Sequence, residues 1–208
     1  MFTGIIEEIL KIDFLEVSSD IMRLGISVPN EWLSSLSIGG SVAVNGVCLT
    51  ITTIENSLVY FDLIPETYQL TTFRNAALFD QCNVERAATL GAQIGGHLTS
   101  GHIIDTATII KIKKSNKHQI NTILCDKKWM KYILHKGFVT LDGASLTVVN
   151  PSPDGMFDIH LIPETLNKTL FGIKRENELI NLEIDPQTQA TVDTVERIIT
   201  QQYYNYKN

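Results

Sequence analysis

The sequence predicts an all-β protein: two tandem, pseudo-symmetric, small antiparallel Greek-key β-barrels followed by a C-terminal α-helix. Three observations predict it. The chain repeats itself, because VAVNGVCLT at 42–50 returns as VTLDGASLT at 139–147 and LIPET at 63–67 returns unchanged at 161–165. Each half consists of short runs rich in Val, Ile and Thr, punctuated by Gly, Asn, Asp and Pro, which is the pattern of short strands joined by turns. Sustained helical spacing of apolar residues appears only at the C-terminal end.

The repeat sets the domain organisation. Its offset is 97 in the first block and 98 in the second, so one residue is inserted between them. The register holds elsewhere: Gly4 matches Gly101, Trp32 matches Trp129, Thr71 matches Thr169, Phe73 matches Phe171, and Asn83-Val-Glu85 matches Asn181-Leu-Glu183. A period near a hundred residues is too long for a solenoid unit and is the size of a domain. The expected division is a first barrel at 1–97, a second at 98–185, and a C-terminal helix and tail at 186–208.

Strands are expected at Ser41–Val44, Leu49–Ile54, Leu58–Leu63, Ala107–Ile112, Gln119–Leu124, Phe138–Leu141 and Met156–Ile162. Asn45-Gly46 and Asp142-Gly143 mark tight hairpin turns, because both dipeptides tolerate positive φ. Asn150-Pro-Ser-Pro-Asp-Gly155 reads as a longer hairpin loop that absorbs the extra residue of the second copy. About six strands in each half suit a small closed barrel. Asn30–Leu36 and Asp126–Leu134 each carry a matched Trp and read as one short helix per copy, capped by Asn30 and Asp126. Asp185-Pro186 has the form of an N-cap followed by proline at the first helical position, and Val192, Val195 and Ile199 then share one face. A lone helix of this length needs a partner for its apolar stripe. The expected partner is another subunit.

Composition narrows the function. With 44% hydrophobic and 19% charged residues, the chain is an ordinary globular protein. Its 17 basic and 23 acidic residues give a net charge of −6, which repels a phosphate backbone, so nucleic acid is not expected as a partner. Lys111, Lys113, Lys114 and Lys117 form the basic cluster and read as a solvated turn. Cys48, Cys82 and Cys125 lie far apart without a C-x-x-C pair, which suggests neither disulfides nor a zinc knuckle and fits a reducing cytoplasm. The opening MFTGIIEEIL is acidic where a secretory signal is basic, and no apolar run reaches membrane-spanning length, so no membrane association is expected.

Matched polar positions in duplicated domains imply two like ligands. Gly4, Ile5 and Ile6 match Gly101, His102 and Ile103; Cys48, Leu49 and Thr50 match Ser145, Leu146 and Thr147. Asp62, Leu63, Ile64, Pro65, Glu66 and Thr67 match His160, Leu161, Ile162, Pro163, Glu164 and Thr165. Pro65, Pro163, Leu49 and Leu146 are accounted for by turns and cores. The hydroxyls and carboxylates of Thr50, Thr147, Glu66, Thr67, Glu164 and Thr165 suit a polyol.

The mismatches point at chemistry. His102 stands where the first copy has Ile5, Lys136 where it has Gly39, Asp185 where it has Ala87, and Ser145 where it has Cys48. A histidine exchanges protons near neutral pH, an activated cysteine or serine adds to an electrophilic carbon, and a lysine neutralises developing negative charge. Simpler roles stand beside these: Cys48 as a small core residue, Asp185 as a helix cap and Lys136 as a solvated lysine. His97 and His102 are spaced so as to point to opposite faces of a regular strand, with no third ligand nearby, which argues against a metal. Gly95, Gly96 and Gly101 suggest instead that backbone approaches a flat ligand. No Lys-Ser/Thr pair follows them, so a phosphate loop is not indicated.

MFTGIIEE, VNGVCLT, the doubled LIPET, NVERA, IGGHLTSGHI, LDGASLTV and IDPQTQATVDTVER together resemble the riboflavin synthase family, alpha-chain type, over essentially the whole chain. The resemblance implies transfer of a four-carbon unit between two molecules of 6,7-dimethyl-8-ribityllumazine, giving riboflavin and 5-amino-6-ribitylamino-uracil, without cofactor or metal. It implies a homotrimer built through the C-terminal helix, with the working site between the first barrel of one subunit and the second barrel of another. It also leaves room for association with lumazine synthase. By position, the resemblance puts Gly4–Ile6, Cys48–Thr50 and Asp62–Thr67 in the first lumazine site. Gly101–Ile103, Lys136, Ser145–Thr147 and His160–Thr165 fall in the second. His102 is the candidate for proton transfer, Ser145 and Cys48 are candidates for addition or for placing a water, and Asp185 is a further candidate. Non-catalytic lumazine-binding antenna proteins resemble the same duplicated fold and form the alternative.

Overall fold

The computed structural model describes the backbone of residues 1–207 and the side chains of residues 1–202. Asn208, the end of the tail expected at 186–208, lies outside the described residues. The first half contains β1 (Glu8–Val17), β2 (Met22–Ser27), β3 (Ser41–Val44), β4 (Val47–Glu55), β5 (Leu58–Leu63) and β6 (Gln81–Arg86). They close into an antiparallel barrel in the order β1-β2-β5-β4-β3-β6. The second half contains β7 (Asp105–Lys114), β8 (Gln119–Leu124), β9 (Phe138–Leu141), β10 (Ala144–Ser152), β11 (Met156–Leu161) and β12 (Leu179–Ile184). These close in the same cyclic order. Closure removes the unpaired edges that such short strands would otherwise expose.

Period-two alternation fills each barrel. In β5, Val59, Phe61 and Leu63 point inward, and Phe157, Ile159 and Leu161 do so in β11. The large ring has moved by one inward position between copies, so the two cores are packed differently over one backbone plan. Asn45 (φ 47) with Gly46 (φ 79), and Asp142 (φ 45) with Gly143 (φ 83), make the expected tight turns.

These turns do more than reverse the chain. They meet tip to tip, so close that a Cβ on Gly46 would lie 2.6 Å from the Gly143 nitrogen. Around this contact two fully buried asparagines brace the barrels together. Asn181 accepts from the Thr72 amide at 2.7 Å and donates to the Asn45 carbonyl at 2.9 Å. Asn83 accepts from the Leu170 amide at 2.8 Å and donates to the Asp142 carbonyl at 2.9 Å. The paired NVE and NLE motifs are therefore inter-barrel struts.

The leading segments of the halves are exchanged. Residues 2–6 lie against β10 of the second barrel, with Ser145 N donating to Gly4 O at 2.8 Å, and Ile6 joins the second core. Residues 99–103 lie against β4 of the first barrel, with Cys48 N donating to Gly101 O at 2.9 Å, and Ile103 joins the first core. Phe2 and Thr99, which are equivalent in the repeat, pair with each other where the segments cross. The pseudo-twofold axis passes between them.

Several expected elements take other forms. The two Trp-bearing helices are short 3-10 segments, Asn30–Ser35 of two turns and Lys127–Trp129 of one. Asp126 caps the second through the Lys128 amide, but Pro29, not Asn30, precedes the first. Arg86 over Trp32 and a bond from Trp129 Nε1 to Asp105 hold the rings in place of helical packing. The loop expected at 150–155 is shorter, because β10 continues to Ser152 through a bulge at Asn150 (φ 48), where a proline is tolerated. β1, β2, β6, β10 and β12 extend the strands read from sequence. Pro65 and Pro163 open two six-residue helices, α1 (Pro65–Leu70) and α2 (Pro163–Lys168).

α3 (Pro186–Lys207) begins as expected, with Asp185 accepting from Thr188 N at 2.9 Å and from its Oγ1 at 2.6 Å. Polar contacts pin it to its own second barrel: Tyr132 to Asp193 and Lys131 to Glu196. Val195, Ile198 and Ile199 remain exposed. Among the described residues, no helix is long and apolar enough to cross a membrane.

Candidate active site

The exchange decides which candidate residues meet. In β4 the core takes Leu49, so Cys48 and Thr50 face outward; in β10 the core takes Leu146, so Ser145 and Thr147 face outward. Gly101 sits on Cys48, close enough that a Cβ there would lie 2.5 Å from Cys48 Cβ, and His102 follows with its side chain exposed. Gly4 sits in the same way on Ser145, followed by exposed Ile5. Grouping by repeat is thereby crossed. The structure joins Gly101–Ile103 to Cys48–Thr50 and Gly4–Ile6 to Ser145–Thr147, and it does not join His102 to Ser145.

The two LIPET copies complete these outer faces. Leu63 and Leu161 are core, whereas Ile64 and Ile162 are exposed just before the prolines that open α1 and α2. Glu66 and Glu164 are in the first turns, with Thr67 and Thr165 beside them. The Asp62 carboxylate is already engaged by Arg23 at 2.7 and 2.8 Å, and that guanidinium holds its pKa below the ordinary range. Its counterpart His160 is exposed and stacks on His118. Lys136 has φ 64, a region that side-chain-bearing residues rarely occupy, where the first copy has Gly39 at φ 84. The second copy thus carries a lysine side chain on a turn that the first copy makes with glycine.

Two buried carboxylates hold the exchanged segments. Glu85 accepts from Thr3 N, Thr3 Oγ1 and Gly4 N, and Glu183 accepts from Ser100 N, Ser100 Oγ and Gly101 N. Burial outweighs those bonds and raises both pKa values above the ordinary 4.5. A raised carboxyl pKa means the folded state holds its proton more tightly, so this stabilising contribution is full below pH 4.5 and is lost as pH rises through the folded values. The E85Q/E183Q variant lacks this titration. Its thermal midpoint relative to wild type should therefore climb as pH rises from 4.5; parallel curves would show that neither carboxyl is shifted.

Sequence reasoning missed how His97 is used. Residues 95–104 form no regular strand apart from the single bridge at Thr99, so the opposite-faces argument does not apply. His97 is buried on the second barrel, with Nδ1 2.6 Å from Ser145 Oγ, Nε2 3.2 Å from Thr140 Oγ1, and its ring stacked on Phe138. The glycines serve the same packing: a Cβ on Gly96 would lie 2.6 Å from Ser145 Cβ. Gly96 and Gly101 thus admit close backbone approach to Ser145 and Cys48. A 490 Å³ cavity beside Ile5, Ser41 and Ile51 and a 650 Å³ cleft between the barrels at Asn45, Cys82 and Lys174 are lined by neither Cys48 nor Ser145.

Fold and site together define a tandem-barrel protein with duplicated outer-face sites, each completed by a segment from the other half. A model of the lumazine binding domain matches the chain twice, over residues 3–87 and 100–185. Riboflavin synthase of Escherichia coli (strain K12) is 46% identical over 200 residues, covering 96% of this chain and 93% of that protein. Riboflavin synthase of Chlamydia pneumoniae is 44% identical over 199 residues, covering 96% and 97%. The crystal structure of LumP complexed with 6,7-dimethyl-8-(1'-D-ribityl) lumazine superposes with a TM-score of 0.80 at 26% identity, covering 89% of this chain and 99% of that one. The chain belongs to the lumazine-binding domain family and, within it, to the riboflavin synthases.

Proposed function

We propose that the protein joins two molecules of 6,7-dimethyl-8-ribityllumazine by four-carbon transfer, releasing riboflavin and 5-amino-6-ribitylamino-uracil. One observation carries this reading: the same outward-facing set occurs twice in one chain, once around Cys48 and once around Ser145, and the lumazine binding domain model matches both halves. Two like sites suit a reaction between two like substrates. The antenna alternative is disfavoured by relatives of 46% and 44% identity over nearly the whole chain that carry the enzyme's name.

In this reading the barrels at 1–97 and 98–185 each hold one lumazine, with threonine and glutamate side chains on the ribityl hydroxyls and backbone on the pyrimidine edge. Cys48–Thr50, Asp62–Thr67 and Gly101–Ile103 line one site; Gly4–Ile6, Lys136, Ser145–Thr147 and His160–Thr165 line the other. In the same reading the protein is a cytoplasmic homotrimer in which neighbouring subunits cover the exposed apolar residues of α3 and the first barrel of one subunit faces the second barrel of another. That arrangement converts a meeting of two substrates into a held geometry, which is a large part of the acceleration. It also leaves a surface on which lumazine synthase could associate.

Chemistry requires deprotonation of the 7-methyl group of one lumazine and activation of the other at carbon 7. His102, exposed beside the Cys48 site, moves the proton; Ser145 and Cys48 add to carbon 7 or place the water that does. Asp185 caps α3 and contributes its charge. His102→Ala and Ser145→Ala should each slow single-turnover riboflavin formation by about 10²-fold or more. Unchanged chemistry in both would remove the assignment.

A further inference from the structure

The repeat explains Cys48 and Ser145 as counterparts, but it does not explain what surrounds Ser145. His97 lies between the two stretches that match the lumazine binding domain model, residues 3–87 and 100–185, and so belongs to neither copy. It belongs to the connection between the barrels, which places His97 on the second barrel against Ser145, Thr140 and Phe138. We propose that His97 is the positioning residue of the second-barrel site: its Nδ1 accepts the hydroxyl hydrogen of Ser145, which turns the Oγ lone pairs toward the bound lumazine. This inference rests on the reading above that Ser145 acts in the reaction.

The geometry fixes each part. Nδ1 lies 2.6 Å from Ser145 Oγ, inside the range of a strong hydrogen bond. Nε2 lies 3.2 Å from Thr140 Oγ1, and donation there leaves the Nδ1 lone pair free for Ser145. Phe138, with ring centroids 4.9 Å apart and planes 12° from parallel, prevents the imidazole from turning away. The missing side chain of Gly96 lets the connection lie flat against Ser145. Burial holds the His97 pKa below that of an ordinary imidazole, opposed by the Asp185 carboxylate, so the neutral ring that this bond needs is the form present at neutral pH. Cys48, the counterpart of Ser145, is a free thiol, and its backbone amide donates to the Gly101 carbonyl as that of Ser145 does to Gly4. The two sites are thus chemically unlike despite the duplication, as a donor site and an acceptor site must be.

The test compares single-turnover rates and lumazine binding for Ser145→Ala, His97→Ala, the double variant, His97→Asn and His97→Gln. Ser145→Ala and His97→Ala should each lose about 10²-fold in rate, and in His97→Ala, which keeps every lining residue of the site, binding of lumazine should change less than about twofold. The double variant should be no slower than Ser145→Ala, because both substitutions remove one device. An asparagine amide sits where Nδ1 sits, so His97→Asn should regain most of the rate, whereas His97→Gln, whose amide reaches the Nε2 level, should not. Should His97→Ala fail to fold, the Asn and Gln pair carries the comparison. Additive losses, equal rates for Asn and Gln, or a normal rate in His97→Ala would overturn the proposal. A normal rate in Ser145→Ala would overturn it as well and remove Ser145 from the chemistry, while wild-type turnover judges the overall reaction separately.

Discussion

Asn181→Leu is expected to lower the free energy of unfolding by about 2–4 kcal/mol, out of the roughly 5–15 kcal/mol typical of a native protein. Leucine fits the space but strands two partners, the Thr72 amide and the Asn45 carbonyl, which the fully buried asparagine now satisfies. An unpaired buried donor or acceptor costs about 1–3 kcal/mol, well above the net value of an ordinary hydrogen bond. Asn83→Leu should match it, since Asn83 makes the mirror-image bonds to Leu170 and Asp142. Denaturant unfolding measures both. A loss under about 1 kcal/mol in either would mean that the asparagines are not struts.

A fragment of residues 1–97 should form a symmetric dimer rather than a stable monomer. The first core contains Ile103, which the fragment lacks, and the fragment's own Ile6 belongs to the core of the other barrel. Gly4–Ile6 is the repeat equivalent of Gly101–Ile103, so each fragment can offer its leading segment to the other and restore Gly101's place on Cys48 with Gly4. The Phe2–Thr99 bridge already joins equivalent residues, which is the geometry a true twofold axis needs. Fully burying an isoleucine is worth about 1.5–3 kcal/mol, and the carboxylate bonds of Glu85 would return with the exchange. Sedimentation equilibrium should find twice the fragment mass. A monomer as stable as the whole chain would contradict the exchange.

How much of this was legible in the sequence depends on the distance over which each feature acts. The repeat, the turn dipeptides and the strands around them could be read because their signals are local. β12 escaped because Ile180–Ile184 is buried at every position, which erases alternation, and β1 because its bulge between Ile12 and Phe14 breaks the period. α1 and α2 are too short to show helical spacing. The exchange of leading segments leaves no local mark, since Gly4 meets Ser145 and Gly101 meets Cys48 across long stretches of chain; the repeat alone therefore assigned each segment to its own half. His97 lies in the connection between the matched blocks, and its contact with Ser145 spans 48 residues of chain, so nothing local marks it.

Conversion of lumazine is the most direct test of the central claim that the duplicated barrels bring two identical substrates to reaction. Wild-type protein incubated with 6,7-dimethyl-8-ribityllumazine alone should develop riboflavin fluorescence, with about two lumazines consumed for each riboflavin formed. Stoichiometric binding of lumazine without growth of riboflavin would contradict the account and leave a binding protein in its place.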